Sequence, residues 1–336
     1  MLLLACALAA VAALGALADR GLESQDARAS DVAAVSEAPG NASRGGDRAA
    51  LPAGHPFSQA RLIAPLGERL PRLAALLVPE APLLEEAQIV SYYGNPYTAD
   101  LGVLGAADLD TVTAQLEAQA TRYDQLNGET RVIPALHLVY AVAQGQPTPN
   151  GRFLQYTDEA TVDRFIAFTR ERGLLLFLDL QIGHGAIDEE LRQVLPYLRN
   201  PQVHLALDPE FAMAPGQVPG VDLGSLPAAD INRAQEVLRD LVREERLPPK
   251  LLIVHQFTDS MVPDGWAIQR YANVELIIDM DGFGPAAIKR VTYLRYALRP
   301  YATNAALKLF FQYDPDLMSE EEVLSLEPRP RVIIYQ

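Results

Sequence analysis

Leu174-Leu175-Leu176-Phe177-Leu178-Asp179-Leu180-Gln181 and, one helix further on, Val203-His204-Leu205-Ala206-Leu207-Asp208-Pro209-Glu210 share one design. Each is an almost unbroken apolar run that ends in two polar side chains separated by one residue. A strand that is apolar on both faces must be covered on both, which is the condition of a parallel strand between helices. Leu251 to Phe257 and Val274 to Asp279 read the same way. Working outward from these four, the spacing predicts strands over Gln88 to Tyr93, Arg131 to Tyr140, Leu307 to Tyr313 and Arg331 to Tyr335.

Amphipathic stretches separate the strands and carry helix punctuation. Thr157-Asp158-Glu159 opens a run to Arg172 that stops before Gly173, and Ala228 to Arg246 stops before Pro248-Pro249. Repeated strand, loop and helix units of this kind predict an α/β protein, a (β/α)8 TIM barrel whose chain ends at strand eight. The segment Phe57 to Leu84, amphipathic around Leu62 to Leu77, is expected to cover the place a final helix would fill. A doubly wound open sheet is the alternative, but Tyr92-Tyr93-Gly94-Asn95-Pro96 stands where a glycine-rich phosphate loop would follow the first strand.

The barrel is expected to occupy residues 55–336. Ahead of it, Met1 to Ala18 is an uncharged apolar run ending in the small-x-small triplet Ala16-Leu17-Ala18, as in an export signal, though without a basic flank. It reads as a cleaved signal peptide or a short membrane anchor. Cys6 lies within this run, in a lipobox-like Leu3-Leu4-Ala5-Cys6, and as the single cysteine it allows no intrachain disulfide. Residues 19–54, rich in Ala, Ser, Gly, Asp and Arg, have the composition of a disordered linker. The expected location is therefore extracytoplasmic, secreted or held at the cell envelope.

Forty-three acidic against 28 basic residues give a formal charge of −15. That balance argues against nucleic acid, whose binding needs a basic surface to displace phosphate counterions.

Barrel sites lie at the C-terminal ends of the strands. Strand side chains alternate, so the pairs Asp179/Gln181, Asp208/Glu210, Asp279/Asp281 and Gln312/Asp314 each present both members to one side while the strand lasts. An Asp after a strand often does no more than cap a helix or hold a turn. Repetition at four strand ends points instead to a polar mouth, because burying carboxylates is costly unless something compensates them. His137, Tyr140, His255, Gln256, Tyr92 and Tyr93 join it from the other strands, with Tyr313 and Trp266 as further aromatic platforms.

Two carboxyl groups across a mouth suit glycosidic bond hydrolysis, one protonating the leaving oxygen and the other serving as base or nucleophile. Glu210 is the expected acid, with Asp208 beside it raising its pKa by like-charge repulsion. Asp281, then Asp279, is the expected partner. A gap of about 5 Å would give retention and roughly 6.5 to 9.5 Å inversion. The substrate expected is a poly- or oligosaccharide, with no cofactor and no metal.

The rivals are a metal-dependent hydrolase drawing ligands from Asp179, His184, Asp208, His255 and Asp281, and a glycan-binding barrel without turnover. H-x-H, H-E-x-x-H and C-x-x-C spacings are absent, so a metal would need ligands from several strands. His204 reads as structural and His55 falls beside the linker. Ser260 lacks a G-x-S-x-G setting and has only the proximity of His255 to recommend it.

Leu207-Asp-Pro-Glu-Phe211, Pro215-Gly216, Ala228-Ala-Asp-Ile-Asn232 and Pro248-Pro-Lys-Leu-Leu-Ile-Val-His-Gln-Phe257 resemble a group of uncharacterised secreted or lipoprotein-like bacterial TIM barrels. The match is best over strands four to six. At the level of fold it is also broadly glycoside-hydrolase-like. The resemblance implies export and a barrel and assigns no catalytic role.

Overall fold

The computed structural model describes residues 82–336. The segments read as signal or anchor (Met1 to Ala18), linker (19–54) and most of the amphipathic cover (57–81) lie outside the described residues. The described residues form nine strands: β1 (Ala87–Gly94), β2 (Arg131–Ala143), β3 (Leu154–Tyr156), β4 (Leu175–Gly183), β5 (Val203–Ala212), β6 (Lys250–Gln256), β7 (Val274–Met280), β8 (Asn304–Leu309) and β9 (Val332–Tyr335). All but β3 pair in parallel in the order β1-β2-β4-β5-β6-β7-β8-β9, and β9 pairs back onto β1. The result is a closed eight-stranded TIM barrel.

The helices are α1 (Leu83–Glu86), α2 (Leu109–Leu126), α3 (Glu159–Arg172), α4 (Ile187–Leu198), α5 (Ala228–Glu245), α6 (Ala286–Ala297) and α7 (Glu320–Leu324). α3 starts where Asp158 accepts the Thr161 N–H at 2.9 Å and stops at Gly173, whose φ of 66° is left-handed. α4 buries Ile187, Leu191, Val194 and Leu198, one stripe at helical spacing. Each such side chain is worth about 1.5–3 kcal/mol of burial, which fixes the face turned to the barrel. Among the described residues no helix is long and apolar enough to cross a membrane.

Strand alternation sorts the apolar side chains into two layers. One set, including Leu176, Leu178, Leu205, Leu207, Leu252 and Val254, packs between barrel and helices. The other fills the lower barrel with Ile89, Ile133, Leu175, Phe177, Ile253, Ile277, Val332 and Ile334. Leu83 and Leu84 of α1 plug its floor, where their N–H groups donate to the Glu275 carboxylate at 2.6 and 3.2 Å. The described end of the Phe57 to Leu84 segment thus closes the bottom of the barrel.

β2, β4 and β5 run on to Ala143, Gly183 and Ala212, beyond the expected Tyr140, Asp179 and Asp208, and two further departures shape the mouth. Strand seven, expected over Leu307 to Tyr313, is Asn304–Leu309. Asp314 accepts the N–H groups of Phe310 and Gly284 at 2.9 and 2.8 Å and pulls the chain into a turn that ends the ladder. β3, too short to register as a sequence pattern, pairs antiparallel with the end of β2. Its hairpin presses on the mouth at Gly183, whose φ is +56° and where a Cβ would stand 2.3 Å from the Arg152 carbonyl oxygen, so glycine is required.

Candidate functional site

Inward-facing positions near the top of the barrel change from aliphatic to polar. Tyr93 (β1), His137 (β2), Asp179 (β4), Asp208 (β5), His255 (β6), Asp279 (β7) and Lys308 (β8) are all buried, with Asp281 just past β7 at 9% exposure. Register explains who meets whom. Tyr93 pairs with His137 and His137 with Phe177, so their rings lie in a row at 4.9 and 5.2 Å, the first pair tilted and the second stacked. His255 pairs with Asp279, and its Nδ1 lies 2.7 Å from Asp279 Oδ2. Ala206 beside Asp179 and Ala306 beside Asp279 leave interior room for these rings.

The cage is tied together from several strands. The Tyr93 hydroxyl donates to Asp179 Oδ2 at 2.7 Å, and His255 Nε2 faces the same oxygen at 3.7 Å. Lys308 Nζ sits 3.0 Å from Asp281 Oδ1 and 3.8 Å from the centre of the Tyr93 ring. Gln181 reaches from Asp208 Oδ2 (3.4 Å) to the Ala143 N–H (2.8 Å), and the Glu210 N–H donates to Asp208 Oδ1 at 3.2 Å.

Burial governs the protonation of this group. It pushes Asp208 well above the ordinary carboxylate range, reinforced by the charges of Asp179, Glu210 and Asp281. It raises Asp279 to about 7 against the pull of Lys308 and Lys289. Asp179 and Asp281 are raised by the same burial, held back by His255 and Lys308 respectively as the leading opposing charges. Burial lowers His137 and His255, keeping both imidazoles neutral. For Lys308 burial works downward, yet Asp281, Asp279 and Asp208 outweigh it and hold the ammonium charged.

Above the cage, a cleft of about 470 Å³ opens between the loops that follow β1, β2, β4 and β5. Asn95, Tyr97, Gln144, Gln155, Tyr156, Gln181 and Glu210 line it. Asn95 braces its rim by donating to the Val139 carbonyl at 2.9 Å.

The sequence-predicted site residues divide sharply. Tyr93, His137, Asp179, Gln181, Asp208, His255, Asp279 and Asp281 meet in or on the cage, and Glu210 lines the cleft. Tyr92, one residue out of phase with Tyr93, faces the helices and packs edge-on against Phe311 and Tyr335. Tyr140 sits at a β2 bulge and packs outward on Tyr156 and Tyr197. Gln256 donates to the Thr258 carbonyl and holds its own loop. Gln312 and Tyr313 lie beyond the end of β8, where alternation no longer aims them inward, and Tyr313 packs on Phe283 and Phe310. Asp314 is ion-paired with Lys289 at 3.0 Å, a buried strut under the mouth loops.

Trp266 is 86% exposed on the loop after β6, and Ser260 bonds Thr258 in a surface turn. His184 bonds the Gln217 carbonyl at 2.8 Å, away from the cage. His204, at the deeper end of the ring row, accepts the Leu251 N–H, a structural role as expected. His55 lies outside the described residues. Lys308 is the central residue that the sequence reading passed over; its signal was a lone lysine in the apolar run Ala305-Ala306-Leu307-Lys308-Leu309.

Two sets of side chains place metal-ligating atoms within 4.8 Å of one another: His137, Asp179 and His255, and His255, Asp279 and Asp281. No protein-family model and no curated protein matches the chain. Among solved structures, an oxaloacetate acetylhydrolase in complex with the product oxalate is similar at 13% identity and a TM-score of 0.41, covering 75% of each chain. A second oxaloacetate acetylhydrolase structure matches at 14% identity and a TM-score of 0.39, covering 75% of this chain and 76% of that one. A Bacillus subtilis mannanase matches at 10% identity and a TM-score of 0.36, covering 80% of this chain and 84% of that one. Likenesses this distant transfer neither activity nor site residues.

Proposed function

We propose that the protein is a hydrolase of neutral oligo- or polysaccharides that cleaves glycosidic bonds at the mouth of the barrel. The observation that carries this reading is the lining of the cleft. Asn95, Gln144, Gln155, Gln181, Tyr97 and Tyr156 line its walls with amides and hydroxyls, most of them held by bonds within the protein, with Asp100 and Glu210 as its acidic residues and neither Lys nor Arg among the described lining residues. Such a surface suits an uncharged, hydroxyl-rich ligand and disfavours phosphate or carboxylate.

Glu210 is the residue in position to protonate a leaving glycosidic oxygen. Beneath it Asp208, whose carboxyl burial pushes well above the ordinary range, accepts the Glu210 N–H at 3.2 Å and helps fix that residue. Asp281 is the better second carboxylate, since Lys308 stabilises its ionised form. Asp279 is engaged with His255 and orients that ring instead. Net, water adds across the glycosidic bond, its proton leaving to the base as the acid gives one to the departing sugar. Export, as read from Met1 to Ala18, would direct the enzyme to glycans outside the cytoplasm.

The test is a screen of neutral oligosaccharides and envelope or plant polysaccharides for released reducing ends. At least one neutral glycan is expected to be cut. Turnover confined to phosphate or carboxylate esters would overturn the reading.

A further inference from the structure

The geometry points to a divalent transition-metal site inside the barrel, formed by His137, Asp179 and His255, with His255 Nδ1 3.5 Å from Asp281. His137 is fully buried, and neither of its ring nitrogens has a hydrogen-bond partner among the described residues. A buried imidazole without partners is costly, so it needs an explanation. His255 Nε2 and Asp179 Oδ1 are likewise buried and without a hydrogen bond. Three neighbouring side chains therefore turn lone pairs into one small volume.

Distances fit an ion. Donors each roughly 2.1 Å from a tetrahedral zinc-like centre stand about 3.4 Å apart. The 3.7 Å between His255 Nε2 and Asp179 Oδ2 is already close to that span. The three ligand atoms all lie within 4.8 Å of one another, so ligation needs inward side-chain movement of less than about 1 Å.

The surroundings support each ligand in the way metal sites require. Asp279 takes the Nδ1 side of His255, which leaves Nε2 as the ligating nitrogen. Tyr93 donates to Asp179 and fixes its carboxylate. The alternative trio fits less well, because His255 Nδ1 is committed to Asp279 and Asp281 to Lys308. Charge agrees as well. Asp179, Asp279 and Asp281 crowd around one ammonium, Lys308, in a water-excluded interior, and a dication favours their ionised forms. Two imidazoles with one carboxylate select a borderline ion such as Zn²⁺, Mn²⁺ or Co²⁺ over Ca²⁺ or Mg²⁺, which prefer all-oxygen shells.

The site does not depend on the hydrolase reading, because it is read by stoichiometry rather than turnover. Full-length protein stripped with a chelator is titrated with Zn²⁺, Mn²⁺ or Co²⁺ alone, followed by elemental analysis after dialysis and, for Co²⁺, by visible d–d absorption. One equivalent per chain is expected, with stoichiometric uptake lost in His137→Gln and affinity lowered about 10- to 100-fold in Asp279→Asn, which loosens only the support of His255. Substoichiometric uptake by the unaltered protein overturns the site, as does undiminished uptake in a folded His137→Gln. Should His137→Gln not fold, the wild-type stoichiometry and the Asp279→Asn affinity decide.

Discussion

Replacing Lys308 with methionine removes the ammonium and keeps the length of the side chain. The lysine side chain is 3% exposed, pairs with Asp281 at 3.0 Å and lies 3.8 Å over the Tyr93 ring. Its loss leaves Asp281 buried opposite Asp179, Asp208 and Asp279 with no compensating cation on β8. Removing one partner of a buried pair costs about 3–5 kcal/mol, most of it from stranding the remaining charge. In a domain of this size that corresponds to a fall in Tm of roughly 6–20 °C. Urea denaturation of Lys308→Met, Asp281→Asn and the double variant measures it. The double variant is expected to be more stable than Lys308→Met alone, with a coupling of about 2 kcal/mol or more between the sites. A single-variant loss below about 1 kcal/mol, or strictly additive effects, would refute the picture of a charge-balanced cage.

Other outcomes follow from the same structure. Lys250 is buried at the start of β6, donating to the carbonyls of Asn200 and Val203 at 2.8 Å, and burial depresses its pKa to about 7. Between pH 7 and 10 the unfolded chain binds a proton that the folded one does not. Wild-type stability should therefore rise with pH by up to roughly 4 kcal/mol relative to Lys250→Met, and parallel pH profiles would contradict this. Tyr92→Phe removes a buried hydroxyl without a hydrogen-bond partner among the described residues and should leave hydrolysis unchanged and stability equal or higher by about 1 kcal/mol in denaturation. Leu84→Ala opens the floor of the barrel and should cost about 2–5 kcal/mol by the same assay.

The barrel was legible because parallel strands covered by helices leave runs such as Leu174 to Leu178 that few other architectures tolerate. The inward set was legible wherever the strand persisted, so Asp179 with Gln181 and Asp279 with Asp281 fall at one end of the barrel as alternation requires. It failed at Gln312 and Asp314 because the Asp314 carboxylate accepts the N–H of Phe310 and of the distant Gly284 and ends β8 early. It failed at Tyr92 because adjacent tyrosines must face opposite sides, and composition alone does not say which one faces the interior. Lys308 stayed hidden for a different reason. A lysine in an apolar strand reads as an edge or an error until the carboxylates from β5 and β7 that surround it are known.

The effect of Glu210→Gln on glycan hydrolysis tests the central claim most directly. Measured on a neutral oligosaccharide that the wild type cleaves, kcat/KM should fall by about 10²- to 10⁴-fold while the oligosaccharide still binds, as loss of a general acid requires. Undiminished kcat/KM in the variant would contradict the assignment of the reaction to this mouth.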